Sequence, residues 1–380
     1  MENVSLEIVK QPGEEYGLPY RFWQGCPTIL RTRGGTLFAG WYSGGSKEPS
    51  PDQYNILARS VDDGKTWEEP LLVIRSIPEQ KIRSIDIQLW LDPQGRMWLF
   101  WCRRNDRFRQ DDPRHMFTWA LICENPDEPL LRWSAPREIA PGFLRCQPTV
   151  LSDGRILLCS YDWTDEFYHY SESADGGENW IRRKGGRKLS AKFDETMVLE
   201  LRNHELLMFG RSEQQCIARS ASRDGGRSWS DGARTDLVAP SSRFFIARLP
   251  SGSVLRISNN HPEERRNLTA FLSDDDCRTW KYSLLLDERE PVSYPDAAMS
   301  SDGTIRILYD RGRTTDKEIL FARISEEDIR RGAPGNQTIL KHLVSKAPTR
   351  PYDALLFQQV QERDEQWLEQ YKLFNRAGGK

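Results

Sequence analysis

Ser222-Arg223-Asp224-Gly225-Gly226-Arg227-Ser228-Trp229 is one of four stretches of the form Ser-x-Asp-x-Gly-x-x-Trp in this chain. The others are 60–67, 173–180 and 273–280, the last carrying Cys277 where glycine is expected. The pattern reads as a hairpin turn. The aspartate can accept backbone N–H bonds across the turn, the glycine supplies a left-handed position, and the tryptophan packs beneath. One copy would be a weak signal. Four at constant internal spacing mark a repeat, and a repeat decides the fold.

Between these boxes a second motif recurs: a turn holding Gly or Asn, followed by an alternating apolar strand. Its six copies begin at Arg33, Gln94, Asp153, Asn203, Ser251 and Asp302, as in Asp153-Gly154-Arg155-Ile156-Leu157-Leu158. Each follows another short strand, such as Pro148-Thr149-Val150-Leu151. Units with a period of ~50–60 residues, each holding four short strands, are what a propeller requires. The expected fold is therefore all-β, a six-bladed β-propeller over residues 1–325, with 326–380 as a helical extension. Ser325 reads as the cap of an acidic first turn. Farther on, Leu356, Val360, Trp367, Tyr371 and Phe374 recur at helical spacing. This C-terminal α-helix is expected to pack on the propeller, with a homo-oligomer contact as the alternative.

Composition narrows the function. The 54 basic and 56 acidic side chains leave a net charge of −2, which gives no drive toward nucleic acid or an anionic membrane. No apolar run is long enough to span a bilayer. The polar start, Met1-Glu2-Asn3-Val4-Ser5, lacks the basic and apolar regions of a signal peptide, so a cytoplasmic location is expected. Seven cysteines are scattered without a C-x-x-C, and no two of the five histidines stand at metal-ligand spacing. Reduced, buried thiols, no metal and no cofactor are the expectation.

The box sequence resembles the Asp-box, or BNR, repeat of the sialidase superfamily across about residues 20–325. The resemblance implies six blades around a central axis, with the boxes at the periphery carrying structure. It also implies a site. Tyr294, in Ser293-Tyr294-Pro295-Asp296, falls at the family's nucleophilic tyrosine. Glu195, in Asp194-Glu195-Thr196-Met197, falls at the glutamate that activates it. Arg211 and Arg266 fall at the second and third arginines of a carboxylate-binding triad, and Asp310 replaces a glutamate. Asp52 is the best match for the acid/base aspartate, with Glu48 as the alternate. The triad's first arginine, part of an Arg-Ile-Pro motif, is absent: Gly25 stands there, before Cys26-Pro27. Arg21, Arg83, Arg145 and Arg311 are candidate substitutes, and Gln24 joins the candidate binding residues. The segments around Trp23-Gln24-Gly25-Cys26-Pro27 and Trp41-Tyr42-Ser43-Gly44-Gly45 are similar to a divergent bacterial sialidase-like branch.

These residue types suit one chemistry. A sugar with a carboxylate at its anomeric carbon repels a carboxylate nucleophile, whereas a tyrosine is neutral until a neighbour takes its proton. Arginine forks match a carboxylate through two parallel bonds. The first reading is thus a retaining exo-glycoside hydrolase acting on a small oligosaccharide or glycoside that ends in an acidic sugar. A lyase acting beside a uronic acid, with Tyr294, His169 or His261 abstracting the proton, is the second. A non-catalytic carbohydrate-binding propeller is the third.

Overall fold

The computed structural model describes residues 4–376, whose strands form six successive antiparallel meanders, the blades of a six-bladed β-propeller with a C-terminal helix. The chain groups into two compact units. The first holds the residues up to Phe143 together with Asp310–Ile319 and those from Leu343 onward; the second holds Leu144–Tyr309 and Leu320–His342.

In the first unit, blade one is Gln24–Arg31, Leu37–Ser43, Tyr54–Ser60 and Glu68–Arg75, with Ile8–Val9 added outside the last strand. Blade two is Ile82–Leu91, Met97–Asn105, Met116–Cys123 and Arg137–Pro141. Phe38, Leu57, Ile74, Leu89, Leu99 and Trp101 share one core between these sheets. Both innermost strands carry an irregularity, between Gly25 and Thr28 and between Ile85 and Gln88.

The second unit contains blade three (from Thr149–Val150 to Ile181–Arg187), blade four (from Met197–Glu200 to Ala218–Ser222) and blade five (from Phe245–Arg248 to Tyr282–Asp287). Blade four keeps three strands; its fourth is reduced to isolated bridges, Cys216 to Val238 and Arg219 to Ala233. Blade six begins with Val292–Met299. Its outermost strand is Ile339–Lys346, so the blades run past residue 325 and the stretch 326–380, expected to be a helical extension, supplies a strand as well as helices. The sequence Ile339-Leu340-Lys341-His342-Leu343-Val344 lacks the clean alternation that marks a strand. Before it, Glu326–Arg331 is a short helix α1 with a reciprocal capping box between Ser325 and Asp328.

The four boxes share the serine–aspartate geometry, and the first three also share a tryptophan bond that Trp280 of the fourth does not make. Asp224 Oδ1 accepts the Ser228 N–H at 2.9 Å, and the Ser222 hydroxyl donates to the same oxygen at 2.8 Å. Ser222 Oγ in turn accepts the Gly226 N–H at 2.8 Å. Trp229 Nε1 closes the turn on Gly226 O at 3.2 Å. The serine is thus as central to the turn as the aspartate. In the fourth box Cys277 occupies the glycine position at φ +67°, and its N–H still reaches Ser273 Oγ at 2.9 Å. All seven cysteines are buried, and none is in a disulfide.

The C-terminal helix α2, Ala354–Arg376, closes the first unit. Phe357 meets Phe22 with ring centroids 5.1 Å apart, and Trp367 stacks on Tyr371 at 5.0 Å. Among the described residues no helix is long and apolar enough to cross a membrane.

Candidate active site

Four of the residues singled out from sequence, Tyr294, Glu195, Arg211 and Arg145, meet in the second unit. Tyr294 lies on Val292–Met299 and Glu195 just ahead of Met197–Glu200, while Arg211 directly follows Leu206–Gly210. The Tyr294 hydroxyl donates to Glu195 Oε1 at 2.6 Å. Arg211 Nη1 bridges the pair, 3.1 Å from Glu195 Oε2 and 3.1 Å from Tyr294 Oη. The Arg211 backbone N–H donates to Asp194 O at 2.7 Å, which ties the arginine to the strand that presents Glu195. Tyr294 and Glu195 both sit at positive φ, +55° and +34°. Such backbone is unfavourable for non-glycine residues and concentrates at functional sites.

The pair is nearly enclosed: Tyr294 is 7% exposed and Glu195 2%. Burial alone would push the Glu195 carboxyl upward. The charge of Arg211, then that of Arg145, and the bond from Tyr294 outweigh it and hold the carboxyl below its ordinary range. Burial likewise works against the Arg211 charge, and Glu195 more than offsets it. The outcome is a neutral phenol whose proton already points at an ionised carboxylate, inside a cationic surround. Proton transfer to Glu195 would leave a phenolate nucleophile stabilised by arginine.

Two further arginines face the tyrosine ring. Arg145 Cζ lies 5.2 Å from its centroid and Arg265 Cζ lies 5.5 Å. Arg265 also donates to Ser241 O at 3.1 Å, and Ser241 Oγ accepts from Arg211 Nε at 3.1 Å. Arg266 instead pairs with Glu264 at 2.9 Å and approaches His261 Nε2 at 3.1 Å. Of the adjacent pair Arg265 and Arg266, it is therefore Arg265 that faces the tyrosine, one residue from the sequence expectation, while Arg145, a candidate for the missing first arginine, faces the ring as well. Behind the site, Arg243 and Asp296 form a fully buried ion pair at 3.1 Å. Asp194, paired with Lys188 at 2.8 Å, is pushed by burial up to about 6.

Most of the other candidates belong to the first unit, with the two histidines in the second, and each has partners. Arg21 is buried against Glu69 at 3.1 Å and Tyr16 O at 2.9 Å. Arg83 forms a two-pronged bond to Asp106, at 2.6 and 3.0 Å, under the rings of Trp367 and Tyr371. Gln24 Nε2 donates to Lys317 O at 2.6 Å. These three are buried braces rather than the ligand-facing groups expected. Asp310 accepts from Cys26 N at 2.7 Å and Arg313 Nε at 2.8 Å. Arg311 spans Asp316 and Glu318, at 2.8 and 3.0 Å. Glu48 pairs with Arg313 at 3.4 Å. Asp52, partly exposed, is ion-paired with Arg363 of α2. Of the histidines, His169 is bound to Asp165 at 2.7 Å and His261 accepts two backbone N–H groups, at 2.9 and 3.2 Å.

A chain of six antiparallel blades with Asp-box hairpins, carrying a tyrosine–glutamate pair among arginines, defines a sialidase-like propeller. The chain belongs to the BNR repeat-like domain family, whose model matches residues 35–307. It is 26% identical over 226 residues to the anhydrosialidase of Macrobdella decora, a match covering 52% of this chain and 29% of that protein. Solved structures share the fold. A Hadza microbial sialidase superimposes with a TM-score of 0.65 at 20% identity, covering 82% of this chain and 67% of that one. The intramolecular trans-sialidase of Ruminococcus gnavus gives 0.66 at 15% identity, covering 80% and 94%. The leech intramolecular trans-sialidase, in complex with 2,7-anhydro-Neu5Ac, gives 0.66 at 16% identity, covering 84% and 70%.

Proposed function

We propose that this chain is a retaining exo-glycoside hydrolase that releases a terminal acidic sugar, sialic acid or a related carboxylated sugar, from a small oligosaccharide or glycoside. One observation carries the reading: the 2.6 Å bond from the Tyr294 hydroxyl to Glu195, bridged by Arg211. In the first step the Tyr294 proton passes to Glu195 as Oη bonds to the anomeric carbon. The bond from that carbon to the leaving oxygen breaks, and Asp52, as acid/base, supplies that oxygen with a proton. In the second step Asp52 takes a proton from the acceptor, which displaces Tyr294, and the phenolate recovers its proton from Glu195. Arg211 and Arg265 hold the substrate carboxylate.

The acceptor in the second step is water or a hydroxyl of the sugar itself. The names of the two trans-sialidase neighbours denote intramolecular transfer, and the leech structure holds an anhydro sugar. The test is turnover on sialosides, ketodeoxy-sugar glycosides and uronides side by side, followed by mass and ultraviolet absorbance. Release of the free acidic sugar supports the hydrolase. A non-absorbing product lighter by one water keeps the tyrosine chemistry and makes the sugar its own acceptor. An absorbing unsaturated uronate overturns the proposal in favour of a lyase, and saturable binding without turnover overturns it in favour of a lectin-like propeller.

A further inference from the structure

Asp364 is a carboxylate on the inward face of α2, and it is 0% exposed. Burying a charged carboxylate is costly unless donors replace the lost water. All its protein donors come from one loop of blade one. Oδ2 accepts the Ser46 N–H at 2.7 Å and the Ser46 hydroxyl at 2.8 Å; Oδ1 accepts the Ser50 hydroxyl at 2.8 Å. The loop is also tied by Gln53 Nε2 donating to Lys47 O at 3.4 Å, by the Ser76 N–H donating to Gln53 O at 3.2 Å, and by the Glu48–Arg313 and Lys47–Glu365 ion pairs at 3.4 and 3.8 Å. Ser50 N–H bonds to Gln53 Oε1 at 3.1 Å, and the Asp52 N–H bonds back to Ser50 Oγ at 3.3 Å. Gly45 at φ +70° has no room for a side chain: a Cβ there would stand 2.2 Å from Ser50 Oγ and 3.2 Å from Asp364 Oδ2. The adjoining helix residue, Arg363, ion-pairs with Asp52 itself.

We infer that α2 is a working part of the Asp52 loop, in which Asp364 is the positioning residue that fixes residues 44–53 and Arg363 aims the Asp52 carboxyl and biases its proton. This inference rests on the acid/base role proposed for Asp52. The groups that act on Asp52 are Arg363 and Asp364 of the helix and Glu79 of the turn Pro78–Gln80. Burial raises the Asp52 carboxyl, Arg363 opposes this, and the negative charges of Asp364 and Glu79 add to it. The two helix residues therefore push the acid in opposite directions.

That opposition supplies the test. The acid form of Asp52 is needed for leaving-group protonation, so the alkaline limb of kcat/KM follows its ionisation. Arg363→Gln removes a cation, and the limb should move up by about one pH unit. Asp364→Asn removes an anion, and the limb should move down, by less, while Arg363→Lys should restore the original position. Limbs that stay put, or shift in the same direction in both variants, overturn the inference. Hydrogen exchange provides a reading independent of turnover. Asp364→Ala should expose the Ser46 amide, accelerating its exchange at least tenfold, and open the loop to trypsin at Lys47, with the blade-one strands unchanged. Equal exchange and cleavage in the variant and the parent chain overturn the positioning role even if no substrate is found. Tyr294→Phe serves as the separate control for the proposed reaction: its failure to abolish turnover sinks that reading and leaves the exchange result to decide this one.

Discussion

Tyr294 and Glu195 are held in left-handed backbone, and their side chains meet at hydrogen-bond distance. Removing one hydroxyl from this pair tests its role with little structural cost, because Glu195 keeps its bond to Arg211. Tyr294→Phe should lower kcat by at least roughly a thousandfold while circular dichroism and Tm stay near those of the parent chain. A base must be ionised to act, and the Glu195 carboxyl lies below its ordinary range. The acid limb of kcat/KM should accordingly fall below about pH 4.3, the unperturbed glutamate value; a limb well above that would point to a different base. Arg265 and Arg266 give a neighbouring pair of opposite outcomes. Arg265→Ala should raise KM by roughly tenfold or more, the cost of a charge-assisted bond, whereas Arg266→Ala should leave KM within about twofold, as expected of a partly exposed ion pair. Sequence parity could not separate the two. Alternation counted outward from Leu268–Ser273 passes through Asn267 at φ +54°, where the side-chain sequence loses its period of two.

At the scale of the element, the Asp-box turns are legible because everything they need is local. Serine, aspartate, glycine and tryptophan interact within eight residues, so spacing alone encodes the geometry. The exposed carboxyls of Asp62, Asp175 and Asp224 are lowered to about 2 by bonds from their own turns, chiefly the backbone and side chain of the residue four positions on. Their folded values lie below the unfolded aspartate value of about 3.9. The stability they contribute is present above that value and lost as pH falls toward 2. Acid titration by circular dichroism should show a transition in this window, shallower in an Asp62/Asp224 double alanine variant. Asp224→Ala alone should lower Tm without changing kcat, which calorimetry and turnover together check. Elements fixed by distant partners were harder to read. Arg21 and Arg83 look from sequence like available cations, but Glu69 and Asp106 consume them. The apolar residues of α2 mark its inward face, and Asp364, a carboxylate among Val360, Trp367 and Tyr371, is buried there only because Ser46 and Ser50 of a distant loop donate to it.

For the molecule as a whole, six repeats were enough to define the fold class, and the balanced charge gives no global drive toward nucleic acid, since both follow from sums over the chain. The substrate does not follow from such sums; it depends on a few guanidinium groups. A ligand that binds only the folded chain stabilises it by mass action, by about 2.7 kcal/mol at a hundredfold excess over Kd. A carboxylated sugar should therefore raise Tm by a few degrees in the parent chain, the amide of the same sugar should not, and Arg211→Ala should erase the difference. Equal shifts from acid and amide would remove the carboxylate from the recognition scheme.

The contact between Ser46 and Asp364 joins residues 318 positions apart. A ribosome that has finished blade one has made the loop but not the carboxylate around which it closes. Strand pairing in that blade can proceed as its residues emerge, whereas residues 44–53 must wait until Asp364 has left the exit tunnel. The loop carrying Asp52 is thus synthesised well before the helix that fixes it, and the blade-one strands can pair before their loop takes its final shape.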